Sequence, residues 1–322
     1  MSGPIVALTG GVGGAKLARG LVARLAPEDL HFVVNVGDDF EHLGLHVSPD
    51  LDTLLYTLSG ESDTERGWGR RGESWQFLDA LRGYDGPDWF ALGDRDLATH
   101  VLRTHALAEG ARLTEVTARL ATALGVRHAM LPVTDDPLRT VIETGGEALP
   151  FQHYFVRERC APAVTGFRFD GAERARCTPE VRAALADPDL AGVVLCPSNP
   201  FVSIDPILAV AELRAALAAC AAPIIAVSPI IGGDAVKGPT AKMMDELGVP
   251  RSAAGVAGHY GARSGGGLLD GFVLDATDAA LQQDLETTGL AVRVEQTLMR
   301  DLDDRIALAD AVLAFLASLR TS

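Results

Sequence analysis

Apolar positions along the chain gather into short continuous runs separated by polar, glycine-bearing turns. The runs at residues 5–8, 32–35, 192–196, 224–227 and 272–274 have the form expected of strands covered on both faces. Between them, apolar residues recur at helical spacing, which predicts helices over 16–25, 51–58, 97–109, 113–124, 206–219, 240–247 and 304–319. Alternation of strand, loop and helix predicts an α/β fold built on a mainly parallel, doubly wound sheet. Residues 59–130 are mostly helical in pattern and carry Gly, Arg and Trp, so they are expected to form an insertion or cap beside the sheet. Residues 139–144, 152–159 and 164–169 show the alternation of β-strands. No repeat or linker-like stretch divides the chain, and a single domain over residues 1–322 is expected.

Composition narrows the partners. Hydrophobic residues make up 48% of the chain, enough for a sizeable core, and the formal net charge is −15. Such a charge argues against nucleic acid or an anionic membrane, which need clustered positive charge, and leaves room for a metal cation. Cys160, Cys177, Cys196 and Cys220 have no metal-binding spacing, which favours a reduced, cytoplasmic setting. No basic stretch precedes the first apolar run, so a cleaved leader is not expected. The longest uncharged stretch, 215–231, contains Pro223 and Pro229 and fits helix, turn and strand better than a membrane span. Lysine is rare: Lys16, Lys237 and Lys242 are the only ones, all in Gly-containing segments that lead into helices. Codon composition accounts for the arginine excess; the positions of the lysines suit a phosphate.

Five segments could carry chemistry. Gly10-Gly11-Val12-Gly13-Gly14-Ala15-Lys16 links the first strand to a helix, where backbone N–H groups and the helix dipole favour a phosphate. It fits neither the P-loop nor the dinucleotide G-x-G-x-x-G pattern, so the ligand type stays open. Asp38 and Asp39 follow the second strand, and Ser48-Pro49-Asp50-Leu51-Asp52 opens a helix with a capping Ser and a Pro at its first position. Dipole complementation explains one acid there, but four gathered at one sheet edge would repel without a cation or a donor-rich ligand, and hard oxygen ligands suit Mg²⁺. Leu92-Gly93-Asp94-Arg95-Asp96-Leu97-Ala98-Thr99-His100 is either a capped helix start or an arginine fork held between two acids for a phosphate or planar ring. Cys196-Pro197-Ser198-Asn199-Pro200 offers donors and acceptors on a rigid loop. Ser228–Gly233, followed by Lys237-Gly238-Pro239-Thr240, forms a second candidate anion site. The histidines lack an H-E-x-x-H context and there is no G-x-S-x-G elbow, which disfavours zinc hydrolysis and α/β-hydrolase chemistry.

Together these segments resemble the 2-phospho-L-lactate transferases of coenzyme F420 biosynthesis (CofD in archaea, FbiA in actinobacteria) from residue 5 to about residue 300. Gly37-Asp38-Asp39 and Arg66-Gly67-Trp68-Gly69 are similar to the bacterial branch. The resemblance implies a Rossmann-like three-layer α/β/α core and a homodimer. It also implies Mg²⁺-dependent transfer of a phospho-2-hydroxy-acid, phospholactyl or phosphoenolpyruvyl, from a guanosine diphosphate donor to the 5′-hydroxyl of the deazaflavin Fo, releasing GMP. By the same resemblance Asp38, Asp50 and Asp52 are the catalytic acids, with Asp38, Asp39 and Asp50 as metal ligands. Asp52, Asp94, Arg95 and Thr99 would contact the deazaflavin. Gly11, Gly13, Gly14, Lys16, Ser198, Asn199 and Lys237 would hold the nucleotide and its phosphates. The competing expectation is a nucleotide-sugar-binding regulator of a related, non-enzymatic family, which shares the Gly-rich start and the Asn-Pro loop. A nicotinamide-dependent oxidoreductase and a nucleotidyltransferase using GTP are further alternatives.

Overall fold

The computed structural model describes residues 3–320; Met1, Ser2, Thr321 and Ser322, which the expected single domain also spans, lie outside the described residues. Seven strands build the central sheet: β1 (Ile5–Thr9), β2 (Leu30–Val34), β3 (Ala129–Pro132), β4 (Gly192–Leu195), β5 (Ile224–Val227), β6 (Gly271–Asp275) and β7 (Ala291–Glu295). All are parallel, in the order β3-β2-β1-β4-β5-β6-β7. The five predicted strands are the five inner ones. Their residues are buried on both faces, as the continuous apolar runs require, and β1 is wholly enclosed. The two edge strands were not predicted. β3 is short and ends in Pro132, and β7 (AVRVE) alternates and stays partly exposed.

The helices that matter here are α1 (Gly11–Val22), α2 (Pro49–Ser59), α3 (Gln76–Gly83), α4 (Asp94–Ala108), α5 (Leu113–Ala123) and the C-terminal α6 (Leu302–Leu319). With the crossover helices they flank the sheet in three layers, and α1 packs between α2 and α6. Helices α3, α4 and α5 occupy the predicted helical segment, whose last residues, Ala129 and Met130, already belong to β3.

Two expectations need correction. Residues 152–159 are not a strand: His153–Arg157 forms a wide helical turn in which Glu158 N bonds His153 O. Phe151 and Phe155 stack at 5.5 Å, a helical spacing that alternation counting misses. Residues 139–144 and 164–169 do form strands, paired antiparallel in a separate small sheet. The predicted helix 206–219 is broken into Asp205–Leu208 and Ala211–Ala219. Val210 is extended at the break, with its side chain fully buried.

Because the strands are parallel, the segments after β1, β2 and β4 emerge at the same sheet edge. The chain order reverses between β1 and β4, which makes a crevice there, the place where open α/β sheets bind ligands.

Candidate active site

The crevice is closed by hydrogen bonds between loops. Gly10 is extended and Gly11 has φ +62°, so α1 starts without a side-chain cap. Gly10 N donates to Ser198 Oγ at 3.2 Å, and Gly11 N donates to Asp50 Oδ1 at 2.7 Å. The next N–H groups of the first turn, on Val12 and Gly13, have no intrahelical partner and can serve as an anion cradle. A Cβ on Gly13 would lie 2.2 Å from Pro197 O, so only glycine lets α1 approach the loop after β4 this closely.

Asn35, at the end of β2 and fully buried, ties the acids together. Its Nδ2 donates to Asp38 Oδ1 (3.0 Å), Asp50 Oδ2 (2.9 Å) and Val202 O (3.2 Å), while its Oδ1 accepts from Gly37 N. Asp38 and Asp50 are both buried. Burial, and next the charge of Asp50, holds the Asp38 carboxyl well above the ordinary carboxylate range. Burial also pushes Asp50 up to about 6, against the lowering bonds from Asn35 and Gly11.

Asp39 stands beside this pair. Its Oδ2 takes Ser48 Oγ at 2.9 Å and His46 Nε2 at 3.0 Å, while its Oδ1 is buried with no partner. Asp52, two residues after Asp50 and so on the other side of α2, has both oxygens in the guanidinium fork of Arg103. Lys16 Nζ donates to Met299 O at 3.1 Å, and burial, with Arg305 and Lys237 nearby, lowers its pKa. Lys237 Nζ donates to Gly67 O at 2.6 Å. Neither lysine has a carboxylate partner among the described residues, whereas Lys242 is paired with Glu246. A glycine-bounded anion cradle, two ammonium groups without a carboxylate partner and paired buried acids suit transfer at phosphorus.

Comparison with known proteins agrees with that chemistry. The model of the 2-phospho-L-lactate transferase CofD family matches residues 5–312. The chain belongs to the CofD family. Phosphoenolpyruvate transferases from Nocardia farcinica and Streptomyces griseus are 43% and 40% identical to it, over 93% and 98% of this chain and 91% and 99% of theirs. A solved UPF0052-family protein from Bacillus halodurans shares the fold, with a TM-score of 0.61 at 14% identity over 97% of this chain and 99% of its own. Among the described residues no helix is long and apolar enough to cross a membrane.

In this CofD-family transferase some expected site residues have other work. Asp94 accepts from Ser74 Oγ, Gln76 N and Phe77 N and so caps α3, while Glu73 accepts from Arg95 N and Asp96 N and caps α4. Asn199 Oδ1 accepts from Phe201 N and Val202 N and caps the wide turn Pro200–Ile204. Thr99 Oγ1 lies 3.0 Å from the Tyr56 hydroxyl, which also donates to Asp96. Arg95 is half-exposed, its Nη1 on Arg71 O and its Nη2 near Glu61. Of the expected metal ligands Asp38, Asp39 and Asp50, Asp38 and Asp50 share the Asn35 amide while Asp39 Oδ2 bonds His46 and Ser48, and among the described residues no three His, Cys, Asp or Glu side chains are grouped around one point. The residues not anticipated are Asn35, as the bridge between acids, and Arg103.

The reciprocal caps predict a modest effect. Asp94→Ala should remove the cap on α3 and lower the Tm by roughly 2–4 °C. Calorimetry, with faster amide exchange over residues 74–84, checks it.

Proposed function

We propose that the chain transfers a phospho-2-hydroxy-acid, phospholactyl or phosphoenolpyruvyl, from a guanosine diphosphate donor to the 5′-hydroxyl of Fo, giving F420-0 or its dehydro form and GMP. The observation that carries this reading is the Asp38–Asp50 pair, bridged by Asn35 and bonded to the first N–H of α1. The relatives' name, phosphoenolpyruvate transferase, supports the phosphoenolpyruvyl form of the donor.

The donor's diphosphate would lie on the N–H groups of Val12 and Gly13, with Lys16 and Lys237 neutralising it. The Fo hydroxyl oxygen attacks the phosphorus that carries the three-carbon acid, and the bond from that phosphorus to the GMP oxygen breaks. The hydroxyl proton passes to a carboxylate oxygen of the Asp38–Asp50 pair that is not bound to metal.

Mg²⁺ fits this donor set. Asp38 and Asp50 are two buried carboxylates that repel each other, and Asp39 Oδ1 beside them is buried without a hydrogen-bond partner, a set that a cation would suit. They are too few for an all-protein cage, which matches an ion shared with substrate phosphates. Bound by Asp38 and Asp50, Mg²⁺ would neutralise charge on the phosphoryl oxygens.

The test is turnover followed by mass spectrometry. The full chain is incubated with Mg²⁺, Fo and either lactyl or enolpyruvyl guanosine diphosphate made in situ. Gain of one phospho-acid unit on Fo with release of GMP is the expected result, with the enolpyruvyl donor preferred. No product from any donor, alongside tight nucleotide-sugar binding, would instead assign the chain a regulatory role.

A further inference from the structure

Helix α4 is built inside out. Its buried side chains include Thr99, His100 and Arg103, while Val101 and Leu102 are 47% and 57% exposed. A helix that turns polar groups inward and apolar ones outward sacrifices stability, and such local conflicts mark function. Arg103 is the extreme case, a guanidinium only 1% exposed that stays charged at any physiological pH. Its fork holds both oxygens of Asp52, and Nη1 also reaches His46 O at 3.4 Å and His100 Nδ1 at 3.2 Å. One residue on, Thr104 Oγ1 accepts from His46 N at 2.8 Å. The backbone of His46 is thus gripped at both its N–H and its carbonyl by one turn of α4. The imidazole of the same residue bonds Asp39, where Ser48 completes the oxygen's partners.

We infer that Arg103 is a positioning residue of the transfer site: it fixes Asp52 directly and Asp39 through His46, so that one buried turn of α4 sets two acids of the crevice. The inference rests on the proposed reading that these acids serve the transfer. Arg103 does not touch the anion cradle; it acts by geometry and by its fixed charge among carboxylates. Lysine keeps the charge but cannot hold two carboxylate oxygens in a plane while also reaching His46 O.

The experiment compares the full-length wild type with Arg103→Lys, Arg103→Gln and His46→Gln. Three quantities are read: kcat with KM for both substrates, Mn²⁺ affinity in the presence of GDP by electron paramagnetic resonance, and Tm. Arg103→Gln should lower kcat about 100-fold with each KM held within about threefold, and Arg103→Lys should recover part of the loss. His46→Gln, which leaves Arg103 and Asp52 intact, should weaken Mn²⁺ about tenfold. A purely structural role predicts otherwise: Tm falls while kcat and Mn²⁺ affinity of the folded protein stay within about twofold, and that result overturns the inference. If Arg103→Gln does not fold, the lysine variant decides by the same two readouts. Absence of transfer by the wild type would sink the proposed function instead, and Mn²⁺ affinity then decides this inference alone: unchanged in the Arg103 variants, the inference falls; weakened in them as in His46→Gln, it holds.

Discussion

Replacing Asp38 with Asn is expected to stabilise the metal-free protein and to remove its turnover. Asp38 and Asp50 are buried together on one Asn35 amide, and both carboxyls are raised, Asp50 to about 6. A carboxyl raised on folding binds its proton more tightly in the folded state. Its contribution to stability is therefore present at low pH and lost as pH rises through the folded value. For Asp50 that loss runs from about 4 to about 6, and for Asp38 it extends higher. Asp38→Asn keeps an oxygen to accept from Asn35 and removes one of the two repelling charges. The Tm gain should be largest above pH 6, roughly 2–5 °C, and should fade toward pH 4.5, where the wild-type carboxyls are protonated. Adding Mg²⁺ with GDP should reverse the ranking, because only the wild type gains binding energy. Turnover should drop on the order of 10²–10³-fold. Calorimetry from pH 4.5 to 8 with parallel turnover assays checks both halves. A constant Tm difference across pH would refute the electrostatic account.

Gly13→Ala should damage both stability and binding. The added Cβ would sit 2.2 Å from Pro197 O and 3.4 Å from Pro197 C, both backbone atoms on the loop after β4, so no side chain can rotate away. Either α1 or that loop must shift by about 1 Å, at a cost of about 1–3 kcal/mol. The same shift displaces the N–H groups of the anion cradle, which predicts a loss in kcat/KM of about 100-fold. Gly258→Ala is the matched control. It lies in the helix Ala253–Tyr260 with open space at its Cβ, and the change should be neutral or stabilising by up to about 1 kcal/mol. Equal Tm values for the two variants would mean that the contact with Pro197 is easily relieved.

The sequence revealed most of the sheet because an inner parallel strand must be apolar on both faces, and β1, β2, β4, β5 and β6 are. Edge strands escape that rule: β7 has one wetter face, and β3 ends in Pro132, a residue that argues against a strand in the sequence. The gathering of Asp38 and Asp50 at one sheet edge was legible from strand-end positions alone. Their bridge was not, because an asparagine at a strand end carries no sign of which groups its amide will meet. Asp94 and Asn199 carry a capping role that the sequence did not show. The short polar side chains that bind ligands also cap helices and turns, and only the fold tells which donors they face. Arg103 was hidden for a different reason. An arginine followed by Thr104 in a helix reads as a solvated face, and its burial depends on Asp52, 51 residues away in sequence.

The position of β1 has a consequence for how the protein is made. This strand is an inner one, third from the β3 edge, with Ile5 paired to Leu30 on one side and to Gly192 on the other. During synthesis β2 is available almost at once, but β4 leaves the ribosome only after the whole helical segment, β3 and the small antiparallel sheet. At ordinary elongation rates that delay is on the order of ten seconds. Throughout it, Ile-Val-Ala-Leu-Thr presents an unpaired apolar edge. The nascent chain therefore carries its most aggregation-prone segment first and completes it late. Slower translation of the middle of the message would lengthen that exposure, and the first half of the chain expressed alone would never end it.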